Sequence, residues 1–229
     1  MVNKYGGNAA LSYNQYLRVP ELIALQTCRS NPIHHDELLF ITIHQSFELW
    51  FKQILHELDA SFGEMNKNRA AAAARALRRV VEIQKLLVNQ IHILATMAPA
   101  NFLGFRDELN PASGFQSMQF REIEFASGLK DTAILENFHH DEFTLKRLQA
   151  RFDSPSLGEA FFGLLRQRGC DAPADNAHCR QRSASTSTGK EHTQWLKCLP
   201  ISSGSTKSSN LPKPCSNTTS IFPSGGRTT

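Results

Sequence analysis

An all-α helical bundle is what this 229-residue sequence predicts, on three observations. Apolar residues recur at three- and four-residue spacing over two long stretches, which is the period of a helix buried along one face. Alternation at every second residue, the mark of a half-buried strand, is nowhere sustained. Helix breakers and capping residues punctuate the periodic segments. Hydrophobic residues make up 41% of the chain, enough for a sizeable core.

The elements follow in order. The stretch from Asp36 to Ala60 contains no Gly or Pro and opens with Asp36 and Glu37, acids that favour a helix N-terminus. Phe40, Phe47, Phe51, Ile54, Leu55 and Leu58 recur at helical spacing, with Leu39, Ile43 and Trp50 widening the arc, so a central buried helix is expected. Between Arg69 and Ala98 an alanine run leads into an amphipathic helix that Pro99 ends. Shorter helices are expected over Phe102 to Leu109, stopped by Asn110-Pro111, and from Phe115 to Ala126, before Ser127-Gly128. Two more fit Asp131 to Arg151 and Ser156 to Arg168, the latter opening on a capping box of Ser156 and Glu159.

Charge divides the chain at Pro173. Residues 1 to 173 carry 18 basic and 19 acidic side chains, whereas residues 174 to 229 carry 7 and 2. The basicity belongs to the tail, and the body has no basic stripe interleaved with aromatics, so a nucleic-acid partner is not expected. Arg75, Arg78 and Arg79 read as a solvated helix face. No apolar run of about 18 residues suggests a membrane span, and no leader pattern is present, so a cytoplasmic protein is expected. The five cysteines are widely spaced without a CxxC pair and read as free thiols. Residues 1–10 are expected to be a flexible N-terminus. In the tail, 19 of 56 residues are Ser or Thr. Such a segment buries too little apolar surface to offset an ordering cost of about 1–2 kcal/mol per residue, so disorder is expected there.

Three places could carry chemistry. His44 sits among Phe40, Phe47 and Phe51 on one helical face, an imidazole in an aromatic pocket or a core histidine satisfied by backbone or by Glu48. Arg106 shares a face with Phe102 and Leu109, suited to a bidentate grip on a carboxylate or to a salt bridge with Asp107, Glu108 or an acid on another helix. The segment Asn110-Pro-Ala-Ser-Gly-Phe-Gln-Ser117 could line a pocket or be an ordinary turn. The tetrad His-His-Asp-Glu occurs at His34–Glu37 and again at His139–Glu142, offering metal-ligand residue types or simply acid-rich helix starts.

At these residues a family resemblance becomes visible. The string His35-Asp-Glu-Leu-Leu-Phe-Ile-Thr-Ile-His-Gln-Ser-Phe-Glu-Leu-Trp-Phe-Lys-Gln53 resembles the hallmark helix of tryptophan 2,3-dioxygenases. Phe105-Arg-Asp-Glu-Leu-Asn-Pro-Ala-Ser-Gly-Phe-Gln-Ser117 resembles their second hallmark, and Leu11-Ser-Tyr-Asn-Gln-Tyr-Leu17 their N-terminal tyrosine segment. The resemblance runs over residues 11 to about 173. It implies an incomplete helical bundle of the haem dioxygenase type, and an oxidoreductase that converts L-tryptophan and dioxygen to N-formylkynurenine, the first step of tryptophan catabolism by the kynurenine route. The cofactor so implied is haem, the assembly a homotetramer.

Carried over by position, His44 is implied as the distal histidine that meets the indole N–H, and Phe40, Ile41, Thr42, Ile43 and His44 as the substrate-contacting stretch. Arg106 is implied as the partner of the substrate carboxylate, Phe102 and Leu109 as walls beside it, and Tyr13 and Tyr16 as residues reaching into a neighbouring subunit. The family's Trp-Arg-x-x-His segment, whose histidine is the proximal iron ligand, and its Gly-Thr-Gly-Gly-Ser loop are not found in residues 174–229. An abrupt switch from well-matched helical sequence to a basic Ser/Thr-rich one is what a shifted reading frame produces. The expected consequences are a chain inactive as written and apolar helix faces left uncovered. The readings to weigh against catalysis are a non-catalytic helical fragment and a helical metal-binding or interaction protein.

Overall fold

Two long helices set the frame. In the computed structural model, which describes residues 11–170, α3 (His35–Asn66) and α4 (Ala70–Leu94) form an antiparallel hairpin closed by the three residues 67–69. They follow two short N-terminal helices, α1 (Tyr13–Leu17) and α2 (Val19–Leu22). The turn is tight because Asn68 takes a φ of 57°, a left-handed conformation that asparagine tolerates better than most side chains. Arg168 fastens that turn from the far end of the chain, donating to Asn68 Oδ1 at 2.7 Å and to Asn68 O at 3.1 Å.

The remaining elements are α5 (Pro99–Leu103), two 3₁₀ turns (Arg106–Leu109 and Gly114–Gln116), α6 (Met118–Ala126), α7 (Thr132–Glu136), α8 (Glu142–Asp153) and α9 (Leu157–Gln167). Helices α6 and α9 pack on α3, and α8 packs on α6. The main core lies between α3, α4 and α6, where Phe47, Phe51, Ile54, Val80, Ile83 and Ile123 are buried together. Phe125 and Leu148 are fully buried, and the Phe125 ring meets Phe152 edge-on at 5.2 Å. Every described element is helical, so the all-α class holds, and the capping box of Ser156 and Glu159 opens α9 as its sequence signals.

The boundaries depart from the sequence reading in several places. The segment expected as one helix from Phe115 to Ala126 is a 3₁₀ turn followed by α6, with Ser117 capping the new start by accepting from Phe120 N–H at 3.2 Å. The segment expected as one helix over Asp131 to Arg151 is two, because Asp141 caps a new start: its carboxylate accepts from Thr144 N–H at 3.0 Å and from Thr144 Oγ at 2.6 Å. The segment from Phe102 to Leu109 is also broken, at Gly104 and Phe105, where Phe105 leaves helical geometry with a φ of −129°. A Cβ on Gly104 would lie 2.9 Å from His34 Nε2, so glycine lets the chain pass close to that ring. The short helices α1 and α2 carry no long apolar period and were not expected as helices.

The expected flexible N-terminus over 1–10 and disordered tail over 174–229 lie outside the described residues, as do 171–173 of the expected helical domain. So do three of the five cysteines; Cys28 and Cys170 are free thiols. Among the described residues no helix is long and apolar enough to cross a membrane. Apolar side chains do stand exposed, among them Ile23, Leu25, Leu49, Val88 and Ile93. Arg79, one of the three clustered arginines, is exposed and pairs with Glu57 at 2.6 Å.

Candidate functional site

One cleft of about 890 Å³ gathers most of the residues singled out above. Its floor is the face of α3 carrying Phe40, His44, Phe47, Glu48, Phe51 and Lys52, residues three or four apart and therefore on one side of the helix. Phe102, Arg106 and Leu109 form one wall, the whole segment Asn110–Ser117 a second, and Gln119 and Phe120 of α6 close the end. Leu22 and Leu25 cover the rim. The 22–26 segment is held there by Gln45, whose Nε2 donates to Leu25 O at 3.1 Å and whose Oε1 accepts from Gln26.

The cleft is aromatic. Phe40 stacks on Phe102 at 5.6 Å and meets Phe105 edge-on at 5.7 Å, while the Phe51 ring lies 5.6 Å from that of Phe120, which borders both the cleft and the core. Such rings suit a flat apolar ligand, and a few polar groups then fix its orientation.

His44 is one of those groups. Its ring lies 4.0 Å from that of Phe40, and its Nδ1 stands 2.7 Å from Phe40 O. A carbonyl can only accept, so Nδ1 carries the proton. Burial pushes the imidazole below its usual pKa, against the Phe40 carbonyl and the Glu48 charge, which pull it up. At neutral pH the ring is therefore uncharged, and Nε2 is an acceptor. Nε2 is buried without a hydrogen-bond partner. Backbone satisfies one of the two ring nitrogens, and the other has no partner among the described residues.

Arg106 is the second group. Among the described residues no carboxylate lies within ion-pair distance of it, so neither Asp107, Glu108 nor an acid on another helix neutralises it. Phe102, Arg106 and Leu109 do converge on the cleft, though from two short helices rather than one face.

The segment Phe40–His44 contributes only its two ends. Ile43 is buried in the α3–α4 core, Thr42 is exposed and bonds Leu38 O at 2.8 Å, and Ile41 does not line the cleft. Ile41 and Thr42 follow Phe40 round the helix away from the cleft, and Ile43 packs into the core. Tyr13 and Tyr16 are also outside it, 74% and 72% exposed on α1.

Sequence reasoning weighed Glu48 only as a partner for His44 and passed over Lys52 and Gln119. Lys52 stands two turns beyond His44, a spacing that could have flagged it. Gln119 carries no such signal; its Nε2 donates to Glu48 O at 2.9 Å and Glu48 Oε2 at 2.8 Å, tying α6 to α3 at the end of the cleft.

The two tetrads do not meet. His34 caps α3 and Asp141 caps α8, and Glu37 is buried, accepting from Arg29 N–H at 2.6 Å and from the N–H and hydroxyl of Ser30. Among the described residues no group of three or more His, Cys, Asp or Glu could hold a metal ion.

The described residues thus form an all-helical body with one aromatic cleft that carries a guanidinium without an acid partner and an acceptor imidazole. Comparison with known proteins makes this specific: the sequence model of the tryptophan 2,3-dioxygenase family matches residues 2–165. The tryptophan 2,3-dioxygenase of Nocardioides sp. (strain ATCC BAA-499 / JS614) is 51% identical over 172 residues, 73% of this chain and 64% of that protein. That of Herpetosiphon aurantiacus is 46% identical over 195 residues, 83% of this chain and 69% of that protein. That of Saccharopolyspora erythraea is 45% identical over 164 residues, 72% and 58%. The chain belongs to the tryptophan 2,3-dioxygenase family. It spans 58% to 69% of the length of these three relatives.

Proposed function

We propose that the cleft is the substrate-facing half of the pocket in which a haem-dependent dioxygenase converts L-tryptophan to N-formylkynurenine, with Phe40, His44, Phe102, Arg106 and Leu109 as the contacts made by this chain. The observation that carries the reading is the pairing, in one aromatic cleft, of a guanidinium without an acid partner and an imidazole nitrogen without a donor. L-Tryptophan has the complementary parts: a carboxylate for Arg106, a ring N–H for His44 Nε2 and a flat apolar surface for Phe40 and Phe102. Arginine holds a carboxylate through two parallel hydrogen bonds, which fixes the ligand's orientation as well as its affinity. His44 is uncharged and accepts, so it orients the indole without placing a second positive charge in the cleft.

The family implies haem, and the residues present fit one face of it. Phe47, Phe51 and Phe120 offer an apolar wall beyond the indole position, and His44 supplies a polar atom that the ligand, not the iron, would satisfy. Haem when bound supplies the chemistry that activates dioxygen. The work of this chain's own residues is to bind, orient and shield the indole. The proposal for the residues of this chain is therefore binding and orientation of tryptophan.

Assembly into a homotetramer is part of the proposal: Tyr13 and Tyr16 stand outward on α1, as residues that enter a neighbouring subunit would. A cytoplasmic location goes with it.

The experiment is calorimetric titration of the full chain with L-tryptophan, tryptamine and 1-methyl-L-tryptophan. L-Tryptophan is expected to bind best, because tryptamine lacks the carboxylate and the methylated ligand lacks the ring N–H. Equal affinity for all three would sink the reading.

A further inference from the structure

The segment Asn110–Ser117 forms a whole wall of the cleft, yet it contains no α-helix to hold it there. Its own hydrogen bonds close on themselves. Ser113 and Gln116 form a reciprocal cap, Phe115 N–H donates to Ser113 Oγ at 3.3 Å, and Ser117 N–H donates to Gly114 O at 3.2 Å. Among the described residues, the hydrogen bonds from 113–116 that leave this turn all come from one side chain, Arg121 of α6. Its Nε and Nη2 both donate to Phe115 O, each at 3.2 Å.

Arg121 is itself fixed on three sides. Its Nη1 donates to Glu124 Oε2 at 2.6 Å, and its guanidinium lies 5.5 Å from the ring centre of Phe120 and 5.8 Å from that of Phe115. The side chain is 11% exposed. A buried arginine that meets a carboxylate, two rings and a carbonyl engages all three of its guanidinium nitrogens, a combination that a lysine's single ammonium cannot reproduce. Arg121 does not line the cleft, although its neighbours Gln119 and Phe120 do.

We infer that Arg121 is a positioning residue: its guanidinium clamps Phe115 O and thereby holds the 110–117 wall against α6, setting the affinity of the cleft for its ligand. The affinity half of this statement rests on the tryptophan reading above, whereas the clamp itself does not. Loss of the fork frees what is, among the described residues, the only hydrogen-bonded tie from the centre of the wall to the helical body, and the wall then opens locally while the α3–α4 core keeps its protection.

The test compares the wild-type full chain with Arg121→Met, Arg121→Lys and Glu124→Gln by backbone hydrogen exchange and by calorimetric titration with L-tryptophan. In Arg121→Met, exchange at Phe115, Gln116 and Ser117 is expected to quicken by about ten-fold or more, with amides of α3 and α4 changed by less than about two-fold. The dissociation constant for L-tryptophan is expected to rise by about ten-fold, the loss of roughly one buried arginine's hydrogen bonds. Arg121→Lys keeps a cation over the two rings and should fall between wild type and Arg121→Met. Glu124→Gln keeps the side-chain shape and removes the charge that pins the guanidinium, so a smaller effect confined to the same amides is expected even if Arg121→Met does not fold. Unchanged exchange in the wall of either Met or Gln variant overturns the clamp, as does quickened exchange spread evenly over α3, α4 and α6. Loop-confined exchange with unaltered tryptophan affinity overturns the affinity half. If the wild-type chain binds no tryptophan while exchange behaves as expected, the substrate reading falls and the clamp stands.

Discussion

The Nδ1–H of His44 donates to the carbonyl oxygen of Phe40 one turn earlier, at 2.7 Å, and this single bond decides what the rest of the ring can do. It fixes the tautomer, so the buried Nε2 can only accept while the ring is neutral.

From this follows a pH dependence. Burial lowers the His44 pKa below its usual 6.5. A ligand that donates a ring N–H is therefore expected to bind with constant affinity through neutral pH and to lose it only below about 6.5, when Nε2 takes a proton. Stability has the same sign. Between the folded pKa and 6.5 the unfolded chain binds the extra proton, so the contribution of His44 is complete above 6.5 and is lost as pH falls. His44→Ala should remove the preference for L-tryptophan over its 1-methyl analogue, about 2- to 12-fold for one neutral hydrogen bond. Calorimetric titrations between pH 5 and 8 check both, and an affinity that rises on acidification would contradict the tautomer.

Arg106 stands in the cleft without an acid partner, and its replacement should be felt only by ligands with a carboxylate. Arg106→Ala is expected to weaken L-tryptophan by about 1.5–3 kcal/mol for each charge-assisted hydrogen bond lost, and tryptamine hardly at all. Arg106→Lys should recover less than half of the loss, because one ammonium does not match two carboxylate oxygens. A variant that weakens both ligands equally would mean that Arg106 shapes the cleft rather than gripping the carboxylate.

The long helices were legible because their cause is local: α3 and α4 repeat apolar residues at helical spacing, and that repeat is sufficient to place His44 among Phe40, Phe47 and Phe51. The short elements were not, because their causes are tertiary. The helix that Phe102 and Arg106 suggest breaks where Gly104 passes against His34, a residue 70 positions away, and no window of sequence contains both. The same holds for Arg121, whose partner Phe115 lies outside its helix and whose role depends on the turn between them. The recurrence of His-His-Asp-Glu was visible but misleading as a metal signal, since each copy marks a helix start, where acids and caps gather anyway.

Glu37 is expected to govern the acid limb of stability. Its carboxylate is fully buried; burial alone would raise its pKa, but the N–H groups of Arg29 and Ser30, the Ser30 hydroxyl and the charge of His34 together hold it below 4.5. A depressed carboxyl contributes stability that is complete above 4.5 and is lost as pH falls through the folded value. Glu37→Gln turns one acceptor into a donor facing N–H groups, at a cost of about 1–3 kcal/mol near neutrality, and should flatten the pH dependence below 4.5. Urea unfolding at pH 3.5 and pH 7 measures both, and an unchanged slope in the variant would assign the acid sensitivity to another group.

The last prediction concerns the junction of α3, α6 and α8. Arg151 of α8 is forked onto Asp59 of α3, at 2.6 and 3.2 Å, and its Nε lies 3.9 Å from Glu122 Oε1 of α6. Glu122 is buried, with Arg147 at 2.8 Å from its other oxygen. Asp59 is half exposed, so its share of the pair is screened and Asp59→Asn is expected to cost no more than about 1 kcal/mol. Arg151→Leu differs because it strips a buried carboxylate of one of two cations, and a loss of about 2–3 kcal/mol is expected. If the cost comes from the stranded charge, removing that charge should recover part of it. The double variant Glu122→Leu with Arg151→Leu is therefore expected to be more stable in urea than Arg151→Leu alone, a non-additivity that neighbours in one network show and distant sites do not. Additive losses in the two single variants would mean that the arginine acts here through the packing of its stem between α6 and α8, and that the ion pair is incidental.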